Sequence, residues 1–215
     1  MTIIKDAALT RNVGIVDVQY PAASQWDTAA FDAMVGEELA VIRKEGETYD
    51  REVRFRNDPF FRYYRKFKKT YPVMMQIESF LLKGRPFPEG EYINSVAFLT
   101  ELKTGRLLGT HDVDRIAGDC VFYQETEKVP FTGMFNPDSH SYPGDLTGRD
   151  DQGVIISMIA GADDRTCIHD DTTHVIYIIF SYEGMPQSDM DESAAYITKF
   201  ARVLAPNAEI TYKIY

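Results

Sequence analysis

Apolar residues recur at two different periods along this chain, and the change of period divides it near residue 105. Before that point the spacing is mostly helical. Phe31, Met34, Val35, Leu39 and Ile42 follow Asp27, which stands where an N-cap belongs, and predict an amphipathic helix to about residue 45. Asp58-Pro59 places a cap residue before a proline at the first helical position and predicts a second helix. A third is expected from about Val73 to Lys83, stopping at Gly84, and a fourth from Asn94 to Leu102, ended by Thr104-Gly105. One early strand is expected around Val13, Ile15 and Val16. Beyond residue 105, β-branched and aromatic runs bounded by turn residues predict strands at Asp119–Gln124, Gly153–Ile159 and His174–Tyr182. In the last of these, Ile176, Ile178 and Phe180 share one face while Val175, Tyr177 and Ile179 share the other. Such a strand belongs in the middle of a sheet covered on both sides. Ser188 and Asp191 read as a capping box for a helix reaching about Leu204, and a strand near Glu209–Ile214 ends the pattern. The expected fold class is α+β, a mostly antiparallel or mixed sheet with helices packed against it.

Composition allows one sizeable core, since 44% of the 215 residues are apolar and no repeat or low-complexity linker interrupts them. The longest apolar runs, such as Val175–Phe180, fall far short of the roughly 18 residues a membrane helix needs. The first residues lack the charged-then-apolar pattern of a signal sequence, so a cytoplasmic protein with no membrane partner is expected. Cys120 and Cys167 have no metal-ligand spacing and are read as reduced, buried thiols. The net charge of −10 argues against a protein that coats nucleic acid, and DNA is not an expected partner. Its distribution narrows that conclusion. Residues 43–69 carry ten Lys/Arg against five Asp/Glu, a local +5 that leaves −15 elsewhere. Such a patch can still hold a short single-stranded RNA end.

Four groups of residues could carry chemistry. Arg62, Arg65, Lys66 and Lys69 fall on one face at helical spacing and suit a phosphate backbone, or they form a solvated face opposite a stripe of Phe60, Tyr64 and Phe67. Asn94 either caps a helix or turns its amide into a cavity, where it can bind both the amino group and the carbonyl of an aminoacyl ester. His111, Asp112 and Asp114 lie in what reads as a polar loop from Thr104 to Asp119. There the acids form an Asx-type turn or flank a water-orienting histidine. Asp163-Asp164-Arg165-Thr166 and His169 to His174 form an acid-rich loop feeding the central strand. That loop matches no metal motif, and a pocket for a cationic substrate group is the more economical use of its carboxylates. No metal and no cofactor are expected.

In order and spacing, several of these segments resemble the B3/B4 family, the editing module of the phenylalanyl-tRNA synthetase β subunit. They are Phe61-Arg62-Tyr63-Tyr64-Arg65, Glu78-Ser79 with Leu81-Leu82-Lys83-Gly84-Arg85-Pro86, Ile93-Asn94-Ser95-Val96-Ala97, Leu108 to Asp119, and Asp163-Asp164-Arg165-Thr166 with Asp171-Thr172-Thr173-His174. The resemblance implies a single B3/B4-like domain over residues 55–215, with residues 1–54 as an N-terminal elaboration, a strand plus a helix packed on the core. It implies a free-standing deacylase that removes a wrong amino acid from tRNA in translation quality control. The partners so implied are the aminoacylated acceptor end of a tRNA and an aminoacyl-tRNA synthetase. Asn94, His111 and Thr172 are the expected catalytic residues. Gly109, Thr110, Asp112, Asp171 and His174 are expected to bind substrate, and Arg62, Arg65, Lys66 and Lys69 to bind tRNA. Synthetase members generally carry histidine where Gly109 stands, so a non-catalytic tRNA- or synthetase-binding module is the alternative.

Overall fold

The computed structural model describes residues 1–215. Its first half runs β1 (Ile3–Lys5), β2 (Gly14–Gln19), α1 (Thr28–Glu45), α2 (Arg51–Phe55), α3 (Pro59–Lys66), α4 (Pro72–Leu81) and α5 (Tyr92–Thr104). The second half runs β3 (Leu108–Asp112), β4 (Cys120–Gln124), β5 (Pro130–Phe131), β6 (Ser139–His140), β7 (Leu146–Asp150), β8 (Gly153–Ser157), β9 (Gly161–Ala162), β10 (His174–Ile179), α6 (Gln187–Leu204) and β11 (Glu209–Ile214). The class is α+β, as the pattern predicts.

Two sheets carry the fold. One has the order β11-β2-β10-β3 and is antiparallel throughout; the other, β1-β4-β7-β8-β9, is parallel only between β1 and β4. The alternation read in β10 has its expected consequence, since Val175 through Ile179 are all buried and the strand lies between β2 and β3. Residues before 55 supply β2, an interior strand of this sheet. Helices α5 and α6 pack together, with α1 against α6. Two buried phenols fix where α5 begins. Tyr177 donates to the Ile93 carbonyl at 3.1 Å and accepts from Tyr20 at 2.7 Å, tying β10 and β2 to the first turn of α5.

The predicted starts of α1 and α3 hold, with Asp27 and Asp58 accepting from Ala30 N and Phe61 N. Three other expectations are corrected. Helix α5 starts two residues earlier than Asn94 and has Glu91 at its cap position. Ser188 caps nothing, because Pro186, with its fixed φ, already occupies the cap position of α6. Residues 108–112 form an edge strand rather than a polar loop. An edge strand tolerates polar residues when each has a partner, and His111 and Asp112 are both buried with hydrogen bonds of their own. The turn into this strand is Gly105 at φ 71°, the left-handed conformation expected of a helix-ending glycine.

Candidate functional site

Strand β3 has β10 on one side and no strand on the other. Its Leu108 N–H donates to Glu101 Oε1 at 2.8 Å and its Asp112 N–H to the Thr166 carbonyl at 2.9 Å, so both point away from β10. Antiparallel pairing alternates, and Thr110 lies midway between them. Its N–H and C=O therefore face the same open side, unpaired by any strand. A cavity of about 420 Å³ occupies that side. Asn94, Phe98 and Glu101 of α5 form one wall, and β8 with the following turn to Ala162 forms the other. Gly109 and Thr110 lie along the edge, and Tyr64, Gln76, Cys167 and Ile168 also line it. Gly109 packs closely on β8: a Cβ there would meet Ile156 Cδ1 at 2.5 Å, the free end of a side chain that would have to turn aside.

Asn94 sits in the first turn of α5, lines this cavity and also a neighbouring one that holds Trp26 and His169, and its side chain forms no hydrogen bond within the chain. Its amide is free for a ligand, which removes the capping reading. Deeper in, Glu101 is buried, and that burial pushes its carboxyl up to about 8, against the hydrogen bond from Leu108 N and the neighbouring Gln76 amide, which act to lower it. Gln76 Oε1 is buried without a partner. At the mouth, Phe135 is 92% exposed on the turn between β5 and β6. That turn is held against β9 by bonds from Met134 N to the Ala162 carbonyl at 3.0 Å and from Asp164 N to the Thr132 carbonyl at 3.0 Å. An aromatic ring spending so much surface on water packs no core and is available to a partner.

His111 lies elsewhere. Its side chain is fully buried, with Nδ1 2.7 Å from Thr166 Oγ1, while Nε2 has no partner. Thr166 gives its single hydroxyl proton to Asp163, so His111 Nδ1 carries a proton and Nε2 is bare. Burial, together with the nearby Arg165 charge, holds the imidazole down to about 4. Asp112 accepts from Asp114 N at 2.9 Å, from Arg115 Nε at 3.2 Å and from Thr172 Oγ1 at 2.6 Å, the Asx-type turn that the sequence offered as one alternative. Asp171 is exposed and pairs with Arg115, and His174 pairs with Asp17 at 2.9 Å. Of the residues expected around one substrate, Asn94, Gly109 and Thr110 thus line a common cavity, and His111, Asp112, Asp171, Thr172 and His174 do not.

The carboxylates of the acid-rich loop do not gather in one pocket; only Asp170 lines a cavity, the neighbouring one that Asn94 shares with Trp26 and His169. Asp163 is turned inward to Thr166, while Asp164, Asp170 and Asp171 are exposed. No group of three or more His, Cys, Asp or Glu side chains is arranged to hold a metal ion. Cys120 is buried as expected, whereas Cys167 is half-buried and lines the cavity. On α3, Phe60 and Tyr64 are buried as the core stripe requires, joined by Tyr63, with Phe67 half-buried. The cations divide. Arg62 and Lys66 line a separate cleft, Arg65 lies over the Phe61 ring, and Lys69, beyond the helix end, lies over Tyr142. Gln76, Glu101 and Phe135 were missed in the sequence, where each reads as an ordinary helix or turn residue.

No family model matches the chain. A segment is 25% identical over 101 residues to the phenylalanine–tRNA ligase beta subunit of Mycoplasma genitalium, covering 47% of this chain and 12% of that subunit. Among solved structures, an N-terminal fragment of the phenylalanyl-tRNA synthetase beta subunit from Pyrococcus horikoshii superposes at a TM-score of 0.45 with 12% identity, covering 97% of this chain and 50% of that one. The chain is thus weakly similar to the phenylalanyl-tRNA synthetase beta subunit, and spans a fraction of its length.

Proposed function

We propose that this chain binds the aminoacylated end of a tRNA and hydrolyses the ester joining a wrong amino acid to the terminal ribose. One observation carries the reading: the unpaired Thr110 N–H and C=O and the free Asn94 amide meet in one cavity large enough for an amino-acid side chain. An aminoacyl ester presents a carbonyl oxygen and an α-ammonium, which need a donor and an acceptor respectively. The Thr110 N–H suits the oxygen that becomes negative when water adds to the carbonyl carbon. The Thr110 carbonyl and the Asn94 Oδ1 suit the ammonium. The ester is already activated, and the ribose hydroxyl beside it can pass the proton to the departing oxygen, so no covalent nucleophile is needed. Similarity to a phenylalanine–tRNA ligase beta subunit supports tRNA as the partner. In this scheme His111, Asp112 and Thr172 hold the end of β3 in place, and Asp171 and His174 lie at the surface beyond it.

The burial of His111 favours a second reading, a tRNA- or synthetase-binding module that turns nothing over, because it withdraws the histidine a water-orienting role would use. Release of amino acid from a panel of mischarged tRNAs, with Asn94→Ala alongside, separates the two. Selective release that the variant loses supports the deacylase. Binding of the same tRNAs with no release by either protein would sink it and leave the binding module.

A further inference from the structure

Arg11 is 8% exposed and forms no ion pair. A guanidinium cannot shed its proton in a protein, and a buried charge is normally matched by an opposite one. Within the chain Arg11 has one long bond, from Nη2 to the Gly144 carbonyl at 3.4 Å, the neutral Tyr63 hydroxyl beside it, and the face of the Tyr63 ring, whose centroid is 4.9 Å away. Behind Tyr63, the Asp145 carboxylate is already committed to the Tyr63 hydroxyl, Ser157 and Ile159 N. Arg11 lines a cleft of about 570 Å³ with Arg62 and Lys66, one helical turn apart on α3, and Glu183 is the single acid there. Three cations, one of them sequestered without a counter-charge, describe half of an anion site.

We infer that this cleft holds a phosphate of an RNA backbone, with Arg11 as the buried ligand and Arg62 and Lys66 at its rim. Arginine's planar fork of donors matches phosphate oxygens in pairs. A polyanion is favoured over a free phosphate because the cations continue past the cleft to exposed Arg65 and Lys69. The placement deepens the tRNA reading. Tyr63 lines the cleft and Tyr64, its neighbour on α3, lines the cavity beside β3, so one helix separates an anchoring phosphate from the proposed aminoacyl site.

The test needs no aminoacyl ester, so it stands or falls apart from hydrolysis. Melting temperature with and without inorganic phosphate, and anisotropy binding of a short single-stranded RNA across a salt series, would be measured for the parent, Arg11→Gln, Arg62→Gln and Lys66→Gln. Arg11→Gln is expected to melt no lower than the parent without ligand, because an unmatched buried charge has been removed. It should also bind RNA roughly tenfold or more weakly, with a log–log salt slope shallower by about 0.7. A variant that melts several degrees lower and binds RNA as the parent does would make Arg11 a prop for Tyr63 and overturn the inference. Loss of phosphate-induced stabilisation with RNA affinity intact would assign the cleft to a free anion and overturn the RNA part. Should Arg11→Gln not fold, unchanged RNA affinity in both Arg62→Gln and Lys66→Gln would overturn it equally.

Discussion

Asn94 and Glu101 stand two turns apart on α5, and their different surroundings set different expectations. Asn94 neither caps the helix nor bonds to the chain, so Asn94→Ala should alter stability by less than about 0.5 kcal/mol. A cap would have cost about 1 kcal/mol, so denaturant unfolding distinguishes the two while the deacylation assay reads the function. Glu101 behaves oppositely. Its folded carboxyl titrates at about 8 against an ordinary 4.5, so the native state holds a proton that the unfolded chain has released. Its stabilising contribution is complete below 4.5 and is lost as pH climbs towards 8. Glu101→Gln keeps an acceptor for Leu108 N and removes the titration. The variant is expected to match the parent near pH 5 and to exceed it by roughly 1–3 kcal/mol near pH 8, as urea melts at the two pH values would show. His111 tilts the balance the other way. With its folded value near 4, below the ordinary 6.5, its contribution is present above 6.5 and is lost as pH falls towards 4.

At the scale of elements, much was legible where the local chemistry decided the outcome. Asp27 and Asp58-Pro59 start their helices because a carboxylate beside free N–H groups and a proline without one need nothing from the rest of the fold. The residues from Leu108 to Asp112 read as a loop because polar side chains stand there, and both the strand they pair with, β10, and the partners of their polar groups, Thr166 and Thr172, come from distant segments. The same reason divides the candidate site. Asn94, Gly109 and Thr110 could be picked out by type, whereas the pairing that draws Thr172 to Asp112 and away from the cavity depends on how β10 meets β3. Gln76 and Glu101 gave no signal, because a polar residue on a helix usually faces water. The β5–β6 turn carries its own prediction. Phe135→Ser removes a ring that packs against almost nothing, so the melting temperature should hardly move, while affinity for the RNA end should fall several-fold if the ring stacks on a base. Unchanged affinity would exclude the ring from the interface.

For the molecule as a whole, an acidic chain of net charge −10 must approach a polyanion by one face only. The local excess of cations lies in residues 43–69, with Arg62 and Lys66 together in one cleft, so under the proposed reading RNA binding should weaken steeply with added salt. An affinity that stayed flat from low to moderate ionic strength would mean that contacts other than phosphates dominate.

The open side of β3 has a cost that has nothing to do with ligands. A strand with free N–H and C=O groups is a template for any other extended chain, including a second copy of itself. Here α5 closes the approach from one side, and the β5–β6 turn, fastened to β9, screens the other. The segment that bears Phe135 is therefore expected to guard against self-association as well. Shortening it should leave the core intact yet yield dimers and larger aggregates at concentrations where the parent remains a single species, a change that light scattering would register before any loss of structure.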